Sequence, residues 1–244
     1  MYVFTFHLAQ TGPLTAARAL ATPPTPADTP GLLHAECMAV MKLGSPLLSP
    51  ARFQIRNLAM FAAWESEDAI ENFLASSRLG RTLADGWHVR LDFMRRWGRI
   101  SEFPELPIEI GEQDPTKPVV AVTLARLKHT QVPRFIKWGK PVERLVRDHP
   151  GQTLALAAMH PVRTVSTFSV WTSQEQMTDM VRGHSDVPQP TRHADAMIER
   201  RRKDFHFEFT TLRFRARSEH GHWQGRSNIV PLDPGDESRI ESAA

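Results

Sequence analysis

The chain has 244 residues, 41% of them hydrophobic, a net charge of +3 and a pI near 9.3, which suits one large or two small domains with a real core. No apolar run reaches the roughly 18–20 residues of a bilayer span, and no charged n-region precedes an apolar h-region, so a soluble cytoplasmic protein is expected. A lone Cys37 excludes an internal disulfide and any multi-cysteine zinc or iron–sulfur site, and its apolar neighbours in Glu36-Cys-Met-Ala-Val40 suit an inert thiol.

In chain order, Val3-Phe-Thr-Phe-His-Leu8 reads as a strand and Pro13 to Leu20 as a helix. The proline-rich run Ala21 to Gly31 propagates neither a helix nor a central strand and is a surface excursion. Phe61-Ala-Ala-Trp64-Glu-Ser66 then precedes a helical pattern from Asp68 to Leu74. The same unit returns as Phe168-Ser-Val-Trp171-Thr-Ser173 before a helix from Glu175 to Arg182, 107 positions later at Phe, Trp and Ser alike. Such a register marks an internal repeat.

The repeat extends outward on both sides. Val119 to Leu127 parallels the first strand, and Val132 to Asp148 the first helix. Thr153 to Met159 and Thr164 to Trp171 read as strands, and Arg192 to Lys203 as an additional helix. Phe205-His-Phe-Glu-Phe209, opening a strand to Phe214, parallels Trp87-His-Val-Arg-Leu91 at 118 positions, so the second copy carries eleven extra residues, His184 to His193 among them. Phe205, Phe207 and Phe209 alternate with polar residues at the period of a half-buried strand.

Each unit thus reads βαββαβ, the ferredoxin-like order. One unit leaves a sheet face bare, and two cover it by pressing sheet against sheet. The expected fold is α+β: tandem ferredoxin-like repeats at 1–103 and 119–224, joined by a linker at 104–118 and closed into an α+β barrel with a central cavity. A polar tail at 225–244 is expected to be disordered. Arg95-Arg96-Trp-Gly-Arg99 and Arg200-Arg-Arg-Lys203 read as solvated helix faces. No nucleic-acid motif accompanies them, while salt-sensitive binding to an acidic partner or an anionic membrane surface stays open.

Three blocks carry a family likeness: Thr167 to Trp171, Arg192-His-Ala-Asp-Ala-Met-Ile-Glu-Arg-Arg-Arg202, and Asp204-Phe-His-Phe-Glu-Phe-Thr-Thr-Leu-Arg-Phe214. With Arg96 to Arg99 and Glu102-Phe-Pro104, they resemble the spheroidene monooxygenase family of bacterial acyclic carotenoid 2-ketolases. The block Met159-His-Pro-Val-Arg163 departs from that pattern, lacking a Glu before the proline.

The resemblance implies a heme-dependent monooxygenase-like oxidoreductase that binds heme b and an apolar small molecule, the latter in the barrel lumen. It places His193 as axial ligand and catalytic residue, with Met197 and Ala194 one turn away against the porphyrin and Asp195 and Glu199 turned to solvent. Arg192, Arg213 and Arg215 are the candidate partners of heme propionates. No nicotinamide or flavin fingerprint is present, so electrons come from an external donor, or peroxide serves as oxidant. A cofactor-free monooxygenase of the same barrel, or a non-catalytic carrier of a hydrophobic ligand, fits the same residues. A homodimer is expected from exposed sheet edges.

The other singled-out residues have plainer readings. Trp64 and Trp171 recur with the scaffold and so serve packing. His184 lies in a proline-rich loop, and His220-Gly-His222 offers two metal ligands with no third. No catalytic-serine elbow, phosphate loop, dinucleotide fingerprint or HExxH occurs.

Overall fold

The computed structural model describes residues 2–46, 49, 52–160 and 164–231. Among them the order is β1 (Val3–Gln10), α1 (Pro13–Ala21), β2 (Leu32–Met41), β3 (Phe53–Trp64), α2 (Glu67–Ser76), α3 (Arg78–Ala84) and β4 (Trp87–Arg99). The second half continues with β5 (Val119–Leu127), α4 (Val132–Arg147), β6 (Gln152–His160), β7 (Thr164–Trp171), α5 (Gln174–Arg182), α6 (Arg192–Arg202) and β8 (His206–Gly221).

Hydrogen bonding gives β4-β1-β3-β2 in the first half and β6-β7-β5-β8 in the second. These two ferredoxin-like sheets close into one antiparallel barrel. The joints are unequal: β2 meets β6 only at Ala39–Met41 against Ala157–Met159, whereas β4 runs along β8 from Trp87 to Arg99. Every strand has a neighbour on both sides, but beyond those three positions β2 and β6 are unpaired along their shared joint among the described residues.

The repeated Trp-x-Ser has a local cause. Ser66 Oγ accepts from Ala69 N at 3.3 Å and Ser173 Oγ from Gln176 N at 3.2 Å, so each serine caps the helix after its strand. Each tryptophan is fully buried, its Nε1 donating to Thr5 Oγ1 or to Ser169 Oγ. Cys37 is buried as expected, and burial followed by the Glu36 charge pushes its thiol up to about 12.

Alternation sends one face of every strand into the barrel. There Phe4, Phe6, Phe61, Phe168, Phe214 and Trp87 are fully buried, and Phe6 stacks on Phe168 at 3.8 Å. The lumen is therefore filled with side chains, which corrects the expected central cavity. At one end Arg126 reaches Glu36 at 2.8 Å and also pairs with Glu102 and Glu208, an internal ion-pair knot beside His34.

Segments expected to be spacers close the barrel ends. Ile100, Phe103 and the linker's Leu106 join the lumen core, and Ile108 and Ile110 bond back to β4. The tail differs from its expectation up to residue 231: Ile229 and Val230 are 1% and 4% exposed in the same core, their amides donating to Glu219. Residues 232–244 and 161–163 lie outside the described residues. The Arg95–Arg99 cluster lies on β4 and not on a helix, where Gly98 (φ +80°) lets the strand bend against Phe209.

Candidate functional site

The outer faces of the two sheets are covered differently. In the first repeat, α2 buries Ala69, Ile70, Phe73 and Leu74 among Leu58, Met60 and Trp64. In the second, α5 seats Met177 and Met180 beside Val119, Ala121 and Trp171, whereas α4 buries Leu145 alone and α6 Ala196 alone, and Phe135, Ile136, Trp138 and Val142 stay half-buried. The apolar face of α4 is thus less deeply buried than that of α2.

The strand register shows what lies beneath those helices. The central outer row is Ala157, Thr167, Thr123, Thr211 and Trp97, and a second row runs Ala155, Ser169, Ala121, Arg213 and Arg95. Thr167 is exposed although it sits in mid-sheet, and the Thr123 and Thr211 hydroxyls lie 3.2 Å apart. From β6 to β8 the central row carries small side chains, a floor that Trp97 of β4 bounds.

His193 stands in the first turn of α6, half-buried, with Nδ1 3.1 Å from the Val181 carbonyl of α5. Burial lowers its pKa and outweighs the opposing Val181 bond, so the ring is neutral near pH 7. Nδ1–H donates to that carbonyl, which fixes the tautomer. Nε2 is left as a free lone pair with no partner among the described residues, the state an axial ligand needs.

Met197 and Arg200 follow His193 on the same helix face. Ala194, Met197, Ile198, Arg200 and Arg201 line a recess of about 340 Å³ together with Val181. Glu199 departs from the expected solvent position, because its carboxylate takes Arg134 of α4 at 2.5 Å and Arg202 at 2.8 Å and ties the two helices together. Asp195 accepts from Thr191 at 3.1 Å.

The candidate arginines separate. Arg192 donates to Gln189 in the preceding loop and Arg215 lies 3.6 Å from Asp92. Arg213 faces α5 from the floor, its Nη2 3.5 Å from Thr178 Oγ1. Burial, then Arg95 and Arg182, lowers its pKa to about 10. Two of its neighbours, Trp97 and Arg95, read in sequence only as part of a basic run, and the β4–β8 pairing brings them here. His184 is exposed in its loop, and His220 stacks on His88.

No family model matches the sequence. Spheroidene monooxygenase of Rhodobacter capsulatus is 28% identical over 135 residues, 55% of this chain and 53% of that protein. Among solved structures, an aldoxime dehydratase superposes with a TM-score of 0.51 at 9% identity, covering 96% of this chain and 88% of the other. The heme-degrading enzyme LmHde of Listeria monocytogenes covers 88% of this chain and 99% of its own at 10% identity, with a TM-score of 0.28. The chain spans about half the length of the curated relative it matches. In sequence, over that half, it is similar to spheroidene monooxygenase, and its fold is a closed α+β barrel.

Proposed function

We propose that this protein is a heme-dependent oxygenase whose heme b lies between the outer face of the second sheet and helices α4 to α6, with His193 as axial ligand. The observation that carries this reading is the state of His193: neutral, oriented by the Val181 carbonyl at 3.1 Å, and with Nε2 unengaged. Bound heme iron supplies the activation of dioxygen or peroxide, with electrons from an external donor.

The protein's own part is positioning. Thr123, Thr167, Thr211 and Ala157 give a floor that a ring can lie on, and Met197 with Ala194 flanks the ligand histidine. Phe135, Ile136 and Trp138 of α4 exclude water and offer an apolar surface to the substrate. The substrate reading moves from the lumen to this cleft, since the aromatics of the lumen already fill it. The same packing disfavours a cofactor-free enzyme or a carrier that uses the lumen.

The test is an absorption spectrum of protein expressed with added heme precursor, before and after reduction. A stoichiometric Soret band that shifts or vanishes in His193→Ala is the expected result. A flat spectrum, or an unchanged band in the variant, rejects the assignment.

A further inference from the structure

Two guanidiniums share the α5 side of the floor, and the charge of a third, exposed arginine acts on one of them. Arg213 on β8 and Arg95 on β4 are partners in register, and Arg182 lies in the last turn of α5, one turn beyond Thr178. Glu109 reaches Arg95 at 3.4 Å and is the acid that opposes the repulsion of Arg213 by Arg95 and Arg182. Crowding positive charge at a side chain only 9% exposed is unfavourable unless something negative joins it.

Trp97 reduces that cost in a telling way. The guanidinium of Arg213 lies 4.2 Å from its ring centroid and that of Arg95 4.5 Å. Cation–π contact shields charge but uses no N–H donor. The donors stay open: Nε of Arg213 and Nε of Arg95 are both buried and without a hydrogen-bond partner in the described structure. Among the described residues each guanidinium has one polar side-chain partner, Thr178 for Arg213 and Glu109 for Arg95, but the buried Nε–H of each is left without an acceptor, and a planar oxyanion would complete it.

We propose that Arg95, Arg182 and Arg213 form a binding site for the carboxylate groups of a ligand whose flat body lies on the threonine floor. The flat body rests on the heme reading, whereas the oxyanion pocket stands on the arginines alone. Tetrapyrrole propionates and the acid end of an organic substrate present the same chemistry, so the experiment separates them.

The full chain is titrated with hemin and with hemin dimethyl ester, followed by Soret absorbance and tryptophan emission. The wild type is expected to bind the acid at least about ten-fold tighter than the ester, and Arg213→Met and Arg95→Met to bring the two within about two-fold. Both variants keep the Soret position, which the axial ligand sets; His193→Ala moves the band and preserves the acid-to-ester ratio. Equal wild-type affinities for acid and ester overturn the site.

If neither tetrapyrrole binds, the heme reading fails and the arginine site is tested by itself. The arginine Nε–Hε resonances of isotope-labelled protein are followed during titration with a medium-chain carboxylate and with the matching alcohol. Saturable shifts of Arg95 and Arg213 with the acid alone uphold the site and make an acidic substrate its ligand. No shift, or equal shifts with the alcohol, overturns it.

Discussion

His7 and His88 face each other across the β1–β4 ladder with ring centroids 5.0 Å apart, and none of their four ring nitrogens has a hydrogen-bond partner among the described residues. His220 continues the row on β8, 4.7 Å from His88. Burial, then the neighbouring imidazole, lowers His7 well below the ordinary value. Burial, then His220 and Arg90, lowers His88 to about 4.

Acid should therefore destabilise this protein early. Both folded-state values lie below the ordinary 6.5, so the unfolded chain takes up protons first as the pH falls. The contribution of the neutral rings is complete above about pH 6.5 and is lost on acidification toward pH 4, on the order of 3 kcal/mol for His88. Urea midpoints between pH 7.5 and pH 5 measure it, and His88→Leu should flatten the slope. A midpoint that ignores pH in this window contradicts the account.

Filling the floor should block the cleft without harming the fold. Thr167 is exposed in mid-sheet, so Thr167→Leu adds apolar volume without displacing a buried neighbour. Thermal stability is expected to hold within about 0.5 kcal/mol. Heme titration should weaken by at least about ten-fold, a loss of about 1.4 kcal/mol. Unaltered binding would mean that the ligand lies elsewhere.

A tether between the repeats should dominate the docking of α4. Glu143 accepts from Arg52 at 2.5 and 3.0 Å, from Lys140 at 2.7 Å and from Gly44 N at 2.9 Å, which holds α4 to the β2–β3 connection. Burial raises the Glu143 pKa, but the Arg52 and Lys140 bonds outweigh it and the net shift is downward. Glu143→Ala is expected to cost roughly 3 kcal/mol, because it leaves the buried Arg52 only the Ser45 carbonyl among the described residues, and Arg52→Ala less, because Glu143 keeps Lys140 and Gly44 N. Denaturant curves should show the double variant losing clearly less than the sum.

Truncation after Ser227 should open the barrel. Ile229 and Val230 are buried in the lumen core, and Glu219, which receives their amides, also accepts from Trp87 Nε1 at 2.8 Å. Losing the two side chains should cost roughly 2–5 kcal/mol and expose Trp87, read as a red shift of its emission. A truncated chain with wild-type stability would show that the plug is dispensable.

How much of this was legible in the chain follows from what kind of contact each feature needs. The repeat, the α+β class, the caps at Ser66 and Ser173 and most of the elements rest on local periodicity and short motifs, which any stretch of sequence displays. The resemblance singled out His193, but its burial and its tautomer depend on tertiary packing: the Val181 carbonyl, twelve residues earlier, is brought to Nδ1 only by the packing of α5 against α6.

Tertiary structure decided the rest by pairing strands that are distant in the chain. The row Ala157, Thr167, Thr123, Thr211 and Trp97 draws on five strands, and the row His7, His88 and His220 on three. Neither has a signature in sequence, because cross-strand register is set by closure of the barrel and not by spacing along the chain. Volume decided the filled lumen and the two plugs. Composition counts the phenylalanines, but only packing shows that they fill the inside of the barrel.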